Sequence, residues 1–453
     1  MTASSQDGAA APSAASGAAA GPPAVSGRYA LYAVILLTVI NIVASIDQRV
    51  INVLAETIRN ELHLRDWQIG MMSGLAFAMF YAALGFPIAR LADRGNRPAV
   101  IVSSLVVWSA FTALSSRALN FTQLFLCRVG VGVGEAGCNP PSQSLIADYA
   151  PQPRRASSLA IWSSGVPLGA LLGFALGGLV ADRFGWRTAF LVAGTPGLVL
   201  ALIAALTLKE TRSRLRADVA AAKANQPSLP ELARVLRTKR TYWMLLLNTA
   251  VKMINTYGLQ AFVVSFFMRA HTASIHHLAA SVGLKSTGFL GVTVGLISGI
   301  CGAASIYLGG FIADRAAKKD IRNTMLAPAY GGLLAMPLTF VALYAHDVGL
   351  ALSLLSVAYL LNGFGYGPVN SVMQGIVPSN MRAMSTSLAL FLEILIGQAA
   401  GPVLVGLLSD FLASHFGSAG GLRLSLMCSS ALAVPCAYLY LAARKTMRED
   451  LVS

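Results

Sequence analysis

The chain has 453 residues, 55% of them hydrophobic and only 12% charged, where a soluble domain averages about 25% charged residues. That balance excludes a soluble globular enzyme or binding module and fits a polytopic helical membrane protein. The net charge of +15 would suggest a nucleic-acid partner in a soluble protein, but its placement along the chain gives it another meaning.

Residues 1–28 are rich in Ala, Ser, Gly and Pro, with no basic residue before Arg28. This lacks the basic and apolar regions of a signal peptide and predicts a disordered cytoplasmic tail. Twelve apolar spans follow, at 30–54, 67–89, 98–118, 120–147, 157–181, 187–208, 242–268, 287–312, 324–345, 348–377, 384–411 and 422–443. Each is long enough to cross roughly 30 Å of hydrocarbon as a helix. The expected organisation is a six-helix bundle over 29–208, a basic linker over 209–241, a second six-helix bundle over 242–444 and a cytoplasmic tail over 445–453. The linker carries nine Lys or Arg against Glu210, Asp218 and Glu231. The remaining basic loops fall on the same side of a twelve-span chain. By the positive-inside rule that side is cytoplasmic, with both termini inside, so the basic charge is a topology signal. No nucleic-acid partner is expected.

The halves repeat. Pro151, Arg155, Ala156 and Ser158 recur as Pro378, Arg382, Ala383 and Ser385 at an offset of 227, and GLVAD ending at Asp182 recurs as GLLSD ending at Asp410 at an offset of 228. Two related halves with a site near the midplane between them is a transporter plan.

Span 4 contains CRVGVGVGEAGCNPP, from Cys127 to Pro141, with a literal G-x-G-x-x-G at Gly132, Gly134 and Gly137. A dinucleotide loop needs a strand before it and a helix after it, and neither fits an apolar span. Gly130, Gly134 and Gly137 instead recur at helical spacing and predict a smooth face for close helix packing. No phosphate-binding loop for ATP, no metal cluster and no cofactor motif is present. The five cysteines at 127, 138, 301, 428 and 436 lie in apolar runs without C-x-x-C, which predicts packing rather than disulfides or zinc. No nucleophile, base and orienting group stand at a recognisable spacing, so an enzyme is not expected.

Charges inside apolar spans are costly and mark candidate sites. Arg128 and Glu135 are seven residues apart and so share a helix face. Asp47 in span 1 lies at a depth that allows pairing with Arg128, with Glu135 roughly 10 Å deeper at 1.5 Å per residue. If Arg128 changes partners, each carboxylate gains or loses its reason to hold a proton, which predicts proton coupling; a structural ion pair is the rival reading. The second half lacks this trio and carries Lys252 in span 7 and Glu393 in span 11. These either pair with each other or meet an anionic substrate group. In span 10, NGFGYGP from Asn362 to Pro368, including Tyr366, predicts a broken helix that lines the cavity or serves packing alone.

The ARLADRGNR stretch, Ala89 to Arg97, resembles the loop between helices 2 and 3 of the major facilitator superfamily, with Ala89 and Asn96 in place of its two glycines. INIVASIDQR in helix 1, the WQIGMMSGLAFAMFYAALGFPIARLADR run in helix 2, CRVGVGVGEAGCNPPSQSLIADYAP in helix 4 and LIGQAAGPVLVGLLSD in helix 11 resemble its spinster-like branch. The resemblance implies a fold of twelve transmembrane helices in two pseudo-symmetric bundles. It also implies a monomer in a membrane, and a coupling centre built from an acid in helix 1 with an Arg and a Glu in helix 4, matching Asp47, Arg128 and Glu135. A cytoplasmic gate at Asp93, Arg94 and Arg97, with Asp314 and Arg315 as the repeat positions, is implied likewise. Here Gln48 separates Asp47 from Arg49, whereas the family places Asp and Arg adjacent. The implied function is alternating-access transport, coupled to protons, of an amphiphilic organic anion or zwitterion such as a lysophospholipid or sphingoid lipid. The alternatives are a small organic acid or drug, or a non-transporting sensor or scaffold. Short loops place it in a bacterial inner membrane.

Overall fold

A computed structural model describes residues 25–211, 229–378 and 381–451, apart from the side chains of Phe86, Ala89, Asp93, Arg94, Gln152, Leu229 and Ala383. The expected N-terminal tail and the middle of the linker, as well as the gate side chains of Asp93 and Arg94, lie outside what is described.

Among the described residues twelve long helices follow the predicted spans. Helix 1 is Gly27–Glu61, helix 2 spans 66–94, helix 3 is Arg97–Ser115 and helix 4 spans 121–149. Helix 5 spans 155–184 and helix 6 spans 186–207; helix 7 is Arg240–Ala270 and helix 8 spans 286–317. Helices 9 to 12 span 321–344, 348–375, 382–416 and 418–450. Among the described residues eight apolar segments are long enough to span. Two of these double back, at Gly185 (φ 83°) and Gly417 (φ 73°), a left-handed backbone that glycine adopts without the Cβ penalty. Helix 4, broken in its middle, and helix 7, with polar residues along its length, complete the twelve.

Helix 1 outruns its apolar stretch. It continues through ETIRNE to Glu61, because its last turns carry paired charges: Glu56 with Arg269 of helix 7, Arg59 with Asp66 and Glu61 with Arg187. The last helix likewise runs to Asp450. The Asp450 carboxylate accepts from the Thr241 backbone N–H at 2.7 Å, and Lys239 donates to the Asp450 carbonyl at 2.7 Å. These bonds, with Tyr29 donating to the Thr207 carbonyl at 2.9 Å, bring the start of helix 1 and the end of helix 12 to the side of the linker. That side is called the linker face below, and the opposite side the far face.

The glycine stretch of helix 4 packs on helix 3. Gly130 lies against the Phe111 ring, Gly134 against the Trp108 backbone and Gly137 against the Ser104 hydroxyl. Steps of four and three residues down one helix match steps of three and four up its antiparallel neighbour. Where lipid surrounds the bundle, such close contact supplies the association energy. Gly134→Val is therefore expected to overpack this seam by about 1–3 kcal/mol and to lower the melting temperature in detergent. Gly85→Ala, whose added methyl would meet nothing within 4 Å, is the matched control and is expected to be neutral.

Helices 2, 5, 8 and 11, together with helices 1 and 7, form the contact between the halves, and each of the first four departs from regular α-helix. Helix 2 has a π-turn at Met71–Leu75, helix 8 at Ile297–Cys301 and helix 11 at Glu393–Gln398, while helix 5 is interrupted at Ser164. Such turns recur at functional positions. Glycines let the backbones touch: Gly74 meets the Gln398 and Ala399 carbonyls, and Gly299 meets Leu171 and Pro167.

The far ends are latched by two equivalent caps. Asp182, at the end of helix 5, accepts from the Lys285 N–H at the start of helix 8 at 2.9 Å. Asp410, at the end of helix 11, accepts from the Asp66 and Trp67 N–H groups at the start of helix 2 at 3.1 and 2.9 Å. The repeat pair read from GLVAD and GLLSD thus does one job twice: a carboxylate satisfies free N–H groups and the helix dipole of the opposite half. Around the Asp410 cap, Arg269 of helix 7 binds Glu56 of helix 1 at 2.7 Å and Asp66 at 2.7 Å. Ser409 donates to Asp66 at 2.6 Å and Arg59 reaches Asp66 at 3.0 Å. Every one of these bridges sits on the far face, so the structure is closed there.

Candidate transport site

Three ionisable side chains lie deep in the first half. Asp47 and Arg128 are each 1% exposed and Glu135 is 3% exposed. The Arg128 Nη1 is 3.5 Å from Asp47 Oδ2, and Thr112 of helix 3 donates to Asp47 Oδ1 at 2.8 Å. The Glu135 carboxyl does not sit apart at a greater depth, as the rise along helix 4 implied. It lies within hydrogen-bonding reach of Asp47. Gln48 donates to Glu135 Oε2 at 2.6 Å, so the residue that separates Asp47 from Arg49 has a place in the cluster. Glu135 Oε1 and Arg128 Nε have no hydrogen-bond partner among the described residues.

Helix 4 ends its first segment at Glu135 and restarts at Asn139, as the proline pair at 140 and 141 requires. The break turns Asn139 toward helix 2, where its side chain donates to the Tyr81 hydroxyl at 3.0 Å. Tyr81 stacks on Phe77 at 5.3 Å between centroids, and Phe77 lies 6.0 Å below the Arg128 guanidinium. Two stacked rings of helix 2 therefore flank the charged trio. Arg49 points across that space and donates to Gln260 of helix 7.

In the second half Lys252 and Glu393 line one cavity with Thr249, Tyr366, Asn370 and Tyr440. Lys252 and Asn362 line a second, adjoining one with Asn255. Lys252 and Glu393 face each other without closing to an ion pair among the described residues. Helix 10 is interrupted by one tight turn at Gly363–Gly365, where the Gly365 backbone makes room for Lys252 and Tyr440. Residues 366–373 and 389–393 belong to the linker-side parts of helices 10 and 11, so the cavity lies toward the linker face.

Of the gate positions, Arg97 is fully buried within the first half. It binds Asp148 at 2.6 Å, Ser144 at 2.9 Å and Glu210 at 2.5 Å, tying helices 3 and 4 to the start of the linker. Asp314 and Arg315 are exposed on the linker face. Sequence reasoning missed Gln48, Thr112, Tyr81 and Asn139 around the trio, and Glu56, Asp66 and Arg269 on the far face. The only signal for the last three was three charges next to span ends, which a loop supplies just as well.

Two bundles of six helices, with a buried charged cluster in one and a polar cavity in the other, are the plan of a membrane transporter. Residues 37–402 match the model of the Major Facilitator Superfamily, and the chain belongs to that family, in its spinster-like branch. An MFS-type efflux pump of Mycolicibacterium smegmatis is 31% identical over 94% of this chain and 95% of its own. A hexuronate transporter of Bacillus subtilis is 25% identical over 86% of this chain and 91% of its own. A crystal structure of a bacterial homologue of the human lysosomal transporter spinster, in an inward-facing and unoccupied conformation, superposes with a TM-score of 0.83. It is 28% identical and is matched over 95% of this chain and 100% of its own. The protein is a membrane transporter and not an enzyme.

Proposed function

We propose that the protein carries an amphiphilic organic anion or zwitterion, with lysophospholipids and sphingoid lipids as the first class, by proton-coupled alternating access. One observation carries the coupling: Glu135, buried, has one oxygen without a partner while its carboxyl lies beside that of Asp47. Two carboxylates side by side cannot both stay ionised cheaply with one cation between them. A single proton shared by the pair gives the orphan oxygen its bond. When Arg128 moves toward Glu135 that proton is released, and when it moves back the pair takes one up. The far-face latch holds the state in which the cavity meets the linker face. Breaking it, with closure at Asp93, Arg94, Asp314 and Arg315, gives the opposite state.

Lys252 is the anion-binding group and Glu393 its counter-charge for a zwitterion, with Tyr366 and Asn362 beside them. The basic loops support a cytoplasmic linker face, and the chain is taken as a monomer in a bacterial inner membrane, as the family resemblance implies. Lys252→Ala is expected to weaken binding of an anionic or zwitterionic ligand roughly tenfold or more, and Glu393→Gln to affect a zwitterion more than a simple anion. Both are read as loss of ligand-induced thermal stabilisation.

A second reading, a small organic acid or a drug, is favoured by the efflux pump and the hexuronate transporter among the relatives. Thermal stabilisation of purified protein against lysophosphatidylcholine, sphingosine and a set of small acids separates the two. Stabilisation by lysolipid supports the first reading, and stabilisation by small acids alone replaces it with the second. No ligand at all points to a sensor or scaffold.

A further inference from the structure

On the far face of the second half, remote from the trio and from Lys252, lies a cavity of about 300 Å³. Its walls are the start of the short helix Thr272–Ser281, the end of helix 9 with Tyr344 and His346, and Arg423 of helix 12. Three features converge in it. The short helix has His271 as its N-cap, and that side chain makes no capping bond, so the first-turn amides at Thr272, Ala273 and Ser274 keep free N–H groups at the positive end of the helix. His271 is 8% exposed and its Nε2 has no partner. Arg423 has no carboxylate partner among the described residues, and its Nε is buried without a hydrogen bond. Its guanidinium is held by the Tyr344 and Phe266 rings at 5.1 and 5.9 Å.

An unpaired, stacked guanidinium beside a helix start is the arrangement that oxyanions occupy. The nearby acid makes no ion pair with it among the described residues: Asp347 caps helix 10, accepting from the Leu350 N–H at 2.7 Å, while its charge still acts on His271. Burial first, then Arg423 and His346, hold His271 below the usual imidazole range, with Asp347 opposing. The empty ring nitrogen therefore faces the cavity neutral near pH 7, and a bound anion would favour its protonation.

We propose that this cavity binds a phosphate-type oxyanion, seated on the first-turn amides of Thr272–Ser281 between Arg423 and His271. The space exceeds one phosphate, which suits an esterified one. The source is either the headgroup of a phospholipid in the far leaflet or a free phosphate. The site belongs to the second half alone, so it needs neither the proposed substrate nor the proposed coupling.

The test uses the full chain purified in detergent. Calorimetric titration with inorganic phosphate at constant ionic strength reads the free anion. Native mass spectrometry after incubation with phosphatidylglycerol or phosphatidylcholine reads the retained lipid. Saturable phosphate binding, or selective retention of phosphatidylglycerol, is expected, each weakened roughly tenfold or more in Arg423→Gln. Ser274→Asp guards against misfolding: a carboxylate in a first helical turn favours the helix while repelling the anion, so it should abolish binding at an unchanged melting temperature. Phosphate alone assigns the free anion and phosphatidylglycerol alone assigns the headgroup. Binding of neither, or binding unchanged in both variants, overturns the proposal.

Discussion

Arg269→Gln is expected to open the far face. Arg269, Glu56 and Asp66 have side chains 7%, 7% and 3% exposed, so removing this cation leaves two buried carboxylates that share only the more exposed Arg59. Breaking a buried pair by deleting one partner costs about 3–5 kcal/mol. The cost falls only on conformations in which helices 1, 2 and 7 meet, because in an opened far face the carboxylates regain water. A bias of that size shifts the two-state balance by roughly 10²- to 10³-fold at 1.4 kcal/mol per decade. Spin labels at the exposed positions Asn60 and His276, with Cys428 replaced, should report a longer distance in the variant. Arg269→Lys should restore part of the shorter one. Unchanged distances would mean that the Asp182 and Asp410 caps hold the face shut without the ion pairs.

Arg128→Gln is expected to be the most damaging change in the first half. Arg128 is the cation that both Asp47 and Glu135 face, and all three side chains are buried. Its loss should cost about 3–5 kcal/mol at neutral and alkaline pH and abolish transport. The sign of the pH dependence follows from linkage: destabilisation is relieved as pH falls, because each carboxyl that takes up a proton no longer needs the cation. Melting temperatures of wild type and variant should therefore converge toward acid and diverge above neutrality. A constant difference across pH would argue that Arg128 serves packing on Phe77 rather than charge balance.

What the sequence made legible follows from locality. Apolar runs fix the helices, and the offsets of 227 and 228 fix the two halves. Gly130, Gly134 and Gly137 foretold a close helix contact because spacing alone defines a face. Arg128 and Glu135 stood out because charge inside an apolar run has a stated cost. Partners across the interface were not legible. Nothing in ETIRNE says that helix 1 continues and meets Arg269, since polar residues after an apolar run read as a loop. Asp182 and Asp410 were visible only as repeat markers, because a carboxylate capping another helix requires knowing which helix begins there. Gln48 looked like an interruption between Asp47 and Arg49, and its bond to Glu135 depends on how helices 1 and 4 cross. Arg423 and His271, 152 residues apart, meet only because helices 7, 9 and 12 end together.

The most direct measurement of coupling at Asp47, Arg128 and Glu135 is uphill uptake into proteoliposomes under an imposed pH gradient, with the ligand that stabilises the protein most. Wild type and Glu135→Gln are compared in that assay and in ligand exchange without a gradient. Glutamine keeps the Gln48 contact and the shape but cannot exchange a proton. The expected result is that wild type concentrates the ligand, while the variant exchanges it and does not concentrate it. A variant that still concentrates the ligand as wild type does would contradict the assignment of coupling to Glu135 and leave the trio a structural cluster.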